Sequence, residues 1–367
     1  MSLRGISHWL HDVFSHLDAI LLALVFGVLI ISAAVVFSAS GQSMPRLSGH
    51  LINMALALGV MVILANMPPH LLARVGPTLY GLGVILLVGV ALFGEVRNGA
   101  RRWIDLGFAF QPSELLKLAL PLMLAWYFQR NEAILRLKHY GIGALLLLLP
   151  FLLILRQPDL GTAMLIGASG FYLLFFAGLS WKIILGGGTV AVASLPLGWN
   201  LMHDYQRQRV MTLLDPSSDP LGAGYHIIQS TIAIGSGGFL GNGWMKGTQN
   251  QLDFIPERTT DFIFAVFGEE FGYLGALVLV ILYLGIIARG LVIAARAPTL
   301  FGRLMAGTIS LNFFTYVFVN MGMVSGVLPV VGVPLPLMSY GGTAMITLLL
   351  GLGIVMSVAT HRQLNKS

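Results

Sequence analysis

The chain has 367 residues, of which 56% are hydrophobic and only 10% charged. Soluble domains carry about a quarter charged residues, so this composition excludes a soluble core and implies a polytopic membrane protein. There are no cysteines, which removes disulfides, thiolate metal sites and cysteine nucleophiles. The net charge of +6 is dispersed over loops without a Lys/Arg run, which suits contact with anionic membrane lipid and not nucleic acid.

Residues 2–17 place Leu3, Ile6, Leu10, Val13, Phe14 and Leu17 on one helical face, and Ser7, His8, His11, Asp12 and Ser15 mainly on the other. That pattern predicts an interfacial helix. No basic segment precedes a clean apolar core and cleavage site, which argues against a cleaved signal peptide. Apolar runs able to cross a bilayer then recur near 19–39, 50–67, 72–94, 113–129, 140–156, 160–179, 181–201, 261–288, 303–327 and 340–360. The expected fold class is all-α integral membrane, one polytopic domain over 1–367 with about ten transmembrane helices. One long loop, about 202–260, lies between the seventh and eighth spans; it has too few large apolar residues for a core of its own.

With both termini inside, the short inner loops hold Arg74, Arg130, Arg136, Lys138, Lys182, Arg289 and Arg296, and the tail holds Arg362 and Lys366. The positive-inside bias favours this orientation, against an outer cluster of Arg97, Arg101 and Arg102. The protein is therefore expected in the cytoplasmic (inner) membrane with both termini cytoplasmic.

Residues 256–270 leave the long loop and enter the eighth span with Asp261, Glu269 and Glu270. Charges in hydrocarbon are costly and usually functional. On a helix, Asp261 and Glu269 would share a face about 12 Å apart. Glu114 and Lys117, three residues apart, share a face of the fourth span. They read equally well as a self-neutralising pair or as a cavity cation with its partner. Arg207 and Arg209, and likewise Arg101 and Arg102, suit phosphate contact or a solvated strip against lipid headgroups. Arg258 lies three residues before Asp261, close enough to tune it. Asp159, in Gln157-Pro158-Asp159-Leu160-Gly161-Thr162, reads as a helix cap or as a site carboxylate. Pro329, Pro334 and Pro336 forbid a continuous helix before Ser339-Tyr340-Gly341-Gly342. The free amides of a helix starting near Ser339 would suit an anion, the alternative being a structural re-entrant loop. Asn312 and Asn320, on one face of the ninth span, read as interhelical hydrogen bonders. The glycines of 235–243 lack nucleotide-loop spacing, and no histidines have metal-ligand spacing, so no nucleotide or haem is expected.

The stretches 203–209, 219–230, Pro256 to Glu270, and Asn320-Met321-Gly322-Met323-Val324-Ser325-Gly326 running on to Gly342 resemble the SEDS family, in particular its elongation-specific branch. The resemblance runs from the first span to the C-terminus. It implies a peptidoglycan glycosyltransferase that polymerises lipid II into glycan strands at the outer face of the membrane during cell elongation. It implies as partners a class B penicillin-binding transpeptidase and other membrane proteins of the elongation complex. The family's essential aspartate maps onto Asp261, and its membrane Glu/Lys pair onto Glu114 and Lys117. Inverting attack on an anomeric carbon that bears a pyrophosphate needs one base, and the departing diphosphate needs positive charge or a divalent cation. Asp261 is thus expected as base or cation holder (Mg or Mn). Arg101, Arg102, Arg207, Arg209, Arg258, Lys117 and the 339–342 amides are expected near the pyrophosphate, with Asp159 beside them and Glu269 and Glu270 in support. A lipid-precursor flippase and a non-catalytic scaffold are the rival readings. Ten spans and intramembrane charges fit the first, although no inverted repeat is visible.

Overall fold

A computed structural model describes residues 15–97, 100–105, 109–157, 159–202, 204–220 and 222–361. The interfacial helix expected over 2–17 falls almost wholly outside the described residues. The chain forms α1 (Ala19–Ala39), α2 (Met44–Ala65), α3 (Pro69–Phe93), α4 (Pro112–Arg130), α5 (Leu137–Leu155), α6 (Leu160–Phe176), α7 (Trp181–Ala193) and α8 (Leu195–Leu201). It continues through α9 (Asp204–Leu214), α10 (Ala223–Ser236), α11 (Thr248–Gln251), α12 (Ile263–Ala295), α13 (Leu300–Val324) and α14 (Gly342–Thr360). Between α3 and α4 the strands β1 (Glu95–Arg97), β2 (Ala100–Asp105) and β3 (Ala109–Phe110) form an antiparallel sheet, which the apolar periodicity did not announce.

Seven helices, α1, α2, α3, α5, α12, α13 and α14, are long and apolar enough to cross a membrane. The other three expected spans are helical but fall short of that measure. Glu114, Lys117 and Arg130 charge α4; α6 has 17 residues; α7 has 13 and meets α8 at Ser194, just before Pro196. The chain is a multi-pass membrane protein.

The bundle is built around α13, which buries 18 of its 25 residues and packs against α12, α6, α4 and α14. In turn α14 packs on α2, α3 on α4, α12 on α1 and α5 on α6. No residue of α7 is buried, so it stands at the margin of the bundle. At the end of the molecule where α1 begins, Asp18 caps the helix by accepting from Leu21 N at 2.9 Å. The same carboxylate binds Arg289 of α12 through two contacts of 3.0 and 2.6 Å, joining the first helix to the twelfth.

At 33 residues, α12 would run about 50 Å, well beyond a bilayer core of about 30 Å. It is broken at Gly272, whose φ of 62° and ψ of −163° are not helical. Segment 237–243 fits into the break and supplies what the missing helical bonds would have given. Asn242 N and Gly243 N donate to Glu269 O and Glu270 O, each at 3.0 Å, while Tyr273 N and Leu274 N donate to Gly238 O and Phe239 O at 2.9 and 3.1 Å. A side chain at Gly272 would collide with the backbone of 239–241. The glycine-rich stretch is thus a docking strap for a broken helix. The isoleucines of 227–234 form α10, which lies against α12 and α13.

Candidate functional site

Four long helices begin around one cavity of about 430 Å³. Gln111, the N-cap of α4, lines it together with Glu114 and Lys117; Asp159, the N-cap of α6, lines it with Thr162; Thr343 and Ala344 bring the first turn of α14. Asp261 comes from the turn before α12, and Val330, Val331, Gly332, Val333 and Pro334 from the proline loop before α14. Arg102 of β2 and Arg209 of α9 complete the lining. Helix N-termini carry partial positive charge and free N–H groups, so their convergence adds to the three cations and favours an anionic ligand.

The acids of the cavity are held differently. Lys117 Nζ donates to Glu114 Oε1 at 2.6 Å and lies 5.6 Å from the ring centre of Tyr316. Both charged groups face the cavity, so the pairing and cavity readings hold together. Asp159 also does two things. Its Oδ1 accepts from Thr162 N at 3.1 Å, capping α6. Its Oδ2 accepts from Gln111 Nε2 at 3.2 Å and stands 3.7 Å from Arg102 Nη1. Among the described residues, no cation pairs with the carboxylate of Asp261. Burial, and then the nearby charge of Glu257, push it up from 3.8 to about 6. It faces Gly332, where an added Cβ would stand 3.4 Å from Asp261 Oδ2; the φ of +70° there is one that glycine adopts without strain.

Several expected site residues lie elsewhere. Asp261 precedes the first residue of α12, so it shares no helix face with Glu269. Glu269 accepts from Thr248 Oγ1, Gln249 N and Asn250 N at 3.2, 2.8 and 3.2 Å, capping α11 from another helix. Glu270 accepts from Ser38 Oγ of α1. These two buried acids are tied to the strap and its neighbours and do not line the cavity. Arg207 donates to Trp199 O and Asn200 O at 3.0 and 2.9 Å, occupying carbonyls at the end of α8. Arg258 is bound to Asp253 and to Asn250 O, and faces a separate pocket of about 310 Å³. Arg101 pairs with Val96 across β1 and β2; its side chain lies outside the described structure.

The helix expected near Ser339 starts at Gly342, and two of the amides expected to be free are committed. Ser339 N donates to Leu335 O at 3.1 Å, and Tyr340 N to Thr259 O at 2.8 Å. Gly341 and Gly342 do not line the cavity, and a Cβ on Gly342 would stand 3.2 Å from Asn53 Oδ1. Proline spacing located the helix break but not the partners that the loop's polar groups take. Gln111 and Tyr316 were not anticipated. The one signal for Gln111 was its place immediately before Pro112, a first-turn proline that makes it an N-cap.

A family model for cell cycle proteins, FtsW/RodA/SpoVE, matches residues 15–364. The chain is 55% identical over 351 residues to the peptidoglycan glycosyltransferase MrdB of Escherichia coli K12, covering 95% of each chain. It is 39% identical over 291 residues to a probable peptidoglycan glycosyltransferase FtsW of Geobacter metallireducens, covering 78% of this chain and 76% of that one. Among solved structures, a chain from a peptidoglycan synthase complex that coordinates polymerization and crosslinking matches with a TM-score of 0.81 at 37% identity, covering 94% of this chain and 97% of that one. The Thermus thermophilus rod shape determining protein RodA matches with a TM-score of 0.71 at 31% identity, covering 95% and 98%. A match running nearly end to end, in a chain whose cavity gathers the paired Glu114 and Lys117 and the unpaired Asp261, places this protein in the FtsW/RodA/SpoVE family of cell cycle proteins.

Proposed function

We propose that this chain is a peptidoglycan glycosyltransferase that polymerises lipid II into glycan strands at the outer face of the cytoplasmic (inner) membrane during elongation, with both termini cytoplasmic. The observation that carries the reading is the division of charge in the cavity. One acid has no cation partner among the described residues and an upward-shifted pKa, and it faces a space that also holds Lys117, Arg102 and Arg209. Asp261 takes the proton of the acceptor's sugar hydroxyl, and the hydroxyl oxygen attacks the anomeric carbon of the donor from the face opposite the pyrophosphate. The carbon–oxygen bond to the diphosphate breaks as the new glycosidic bond forms. The electron pair leaves with undecaprenyl pyrophosphate, whose charge the three cations and the four helix N-termini stabilise. No separate acid is needed, because the leaving group is already a stable anion; Glu114 and Asp159 orient Lys117, Arg102 and Gln111.

No three His, Asp or Glu side chains among the described residues converge closely enough to cage a metal ion. A Mg or Mn ion would fit as such ions often bind in phosphate chemistry, through one carboxylate and the substrate's own phosphates, and Asp261 is the carboxylate available for it. There it would supply charge neutralisation of the diphosphate. A class B penicillin-binding transpeptidase is the proposed partner, in keeping with the crosslinking coupled to polymerization in the similar complex.

The test uses purified, detergent-solubilised protein with lipid II and a gel readout of glycan strands. Wild type is expected to make polymer with no membrane to cross, and Asp261→Asn to make at least about 10²-fold less while remaining folded. Wild-type protein that polymerises nothing, yet moves lipid II between leaflets of a vesicle, would instead establish the flippase reading.

A further inference from the structure

Asn320 of α13 is fully buried. Its side-chain amide nitrogen donates to Asp261 O at 2.8 Å and to Val333 O at 2.7 Å. Both of those residues line the cavity, one in the turn before α12 and the other in the proline loop. Neither carbonyl belongs to a helix or a sheet, so no regular ladder fixes it. An NH₂ group has two protons, and both are spent here. The Oδ1 of Asn320 is buried with no hydrogen-bond partner among the described residues. Turning the amide over would set an acceptor against two carbonyl acceptors, so the orientation is chemically determined and the orphan oxygen cannot be relieved that way. A buried orphan acceptor is destabilising. This asparagine therefore carries a cost that an apolar side chain would avoid, and what it provides is the bridge.

The bridge is one of three consecutive fastenings. Tyr340 N donates to Thr259 O at 2.8 Å, Ser339 Oγ donates to Thr260 O at 2.6 Å, and Asn320 holds Asp261 O. Ser339 Oγ also accepts from Leu335 N at 2.8 Å, so it too spans turn and proline loop. The three consecutive carbonyls of Thr259, Thr260 and Asp261 are thus gripped from α13 or from the loop. Since no cation among the described residues pairs with the Asp261 carboxylate, its direction depends on its backbone.

We propose that Asn320 is a positioning residue, a clamp that sets the gap between Asp261 and the Val333 wall and so presents the base to the acceptor hydroxyl. The proposal rests on the glycosyl-transfer reading above. It is tested by kcat and KM for lipid II, the pH profile and the melting temperature of Asn320→Asp, which is isosteric but has at most one proton to give, and of Asn320→Ser. Asn312→Leu, on the same helix α13 but away from the cavity, is the control: it removes a bond of 3.0 Å to Ser169 Oγ of α6.

The Asn320 variants are expected to lose about 10–100-fold in kcat with KM held within about threefold, since misplacing a reacting group by about 1 Å costs on that scale. The acid limb of Asn320→Ser, which adds no charge, should move to lower pH as the loosened Asp261 gains water. Ser339→Ala should lose less, in the same direction, and Asn312→Leu should melt earlier with kcat intact. Asn320 variants with wild-type kcat per folded molecule, or with losses no greater than those of Asn312→Leu, overturn the clamp alone. Wild-type protein without polymerising activity overturns the transfer reading and the clamp together.

Discussion

Two groups of acids stand near the start of α12, and they are put to opposite uses. Glu269 and Glu270 lie inside the first half of that helix, buried, and are bound to Thr248, Gln249 and Asn250 in one case and to Ser38 in the other. Eight residues before Glu269, Asp261 lies outside the helix, faces a cavity and lacks a cation partner among the described residues. The first pair fastens the 237–251 segment onto a broken helix. The lone acid is kept at a cost and faces the cavity. Exposure alone would not separate them; what separates them is whether the oxygens are already occupied.

The largest expected effect breaks or keeps this contrast directly. Asp261→Asn should cut turnover by about 10²–10⁴-fold, the span of a lost general base. Its melting temperature at pH 7 should hold or rise, because the raised pKa means that ionised Asp261 opposes folding there. Glu269→Gln should do the reverse, lowering the melting temperature by several degrees as three donors lose a charged acceptor, with activity per folded molecule kept. Were Glu269→Gln to abolish turnover at an unchanged melting temperature, the two roles would have been assigned the wrong way round.

Next in size is the pair in α4. Lys117→Met should destabilise by about 1–3 kcal/mol, leaving a half-buried Glu114 without its partner, and should cost about 10²-fold in turnover through lost charge at the proposed leaving group. The double variant Glu114→Gln with Lys117→Met should recover stability but not turnover. Recovery of both would reduce the pair to a neutralising device.

Activity should fall as pH drops through about 6, because Asp261, as the proposed base, must be deprotonated and its folded value is raised to there. Glu257→Gln removes the charge that supports part of that rise, so the midpoint of the acid limb should slide to lower pH by a few tenths of a unit, as for an exposed partner. A limb unmoved by that substitution would assign the whole shift to burial. The smallest effect is expected of Asp159→Asn. Asparagine caps a helix about as well as aspartate, so the melting temperature should change by no more than about 2 °C and turnover by a few-fold; a collapse of turnover would make Asp159 a second acid of the reaction.

The sequence by itself determined the membrane class, the helices at the expected places and the polar residues of interest, since apolar run length and the cost of intramembrane charge are local properties. It also made Asp261, Glu114 and Lys117 legible, through motif and spacing. It did not separate Asp159 as cap from Asp159 as site carboxylate, because one carboxylate with two oxygens can be both. Only the tertiary structure decided that Arg102 and Arg209 face the cavity while Arg207 and Arg258 are spent on carbonyls and on Asp253. The same holds for Ser339 and Tyr340, which fasten a turn, and for Asn320, which holds Asp261 from 59 residues away. Hydrogen-bond partners are chosen by proximity in space, and proximity between distant residues is a property of the packed bundle that no local pattern encodes.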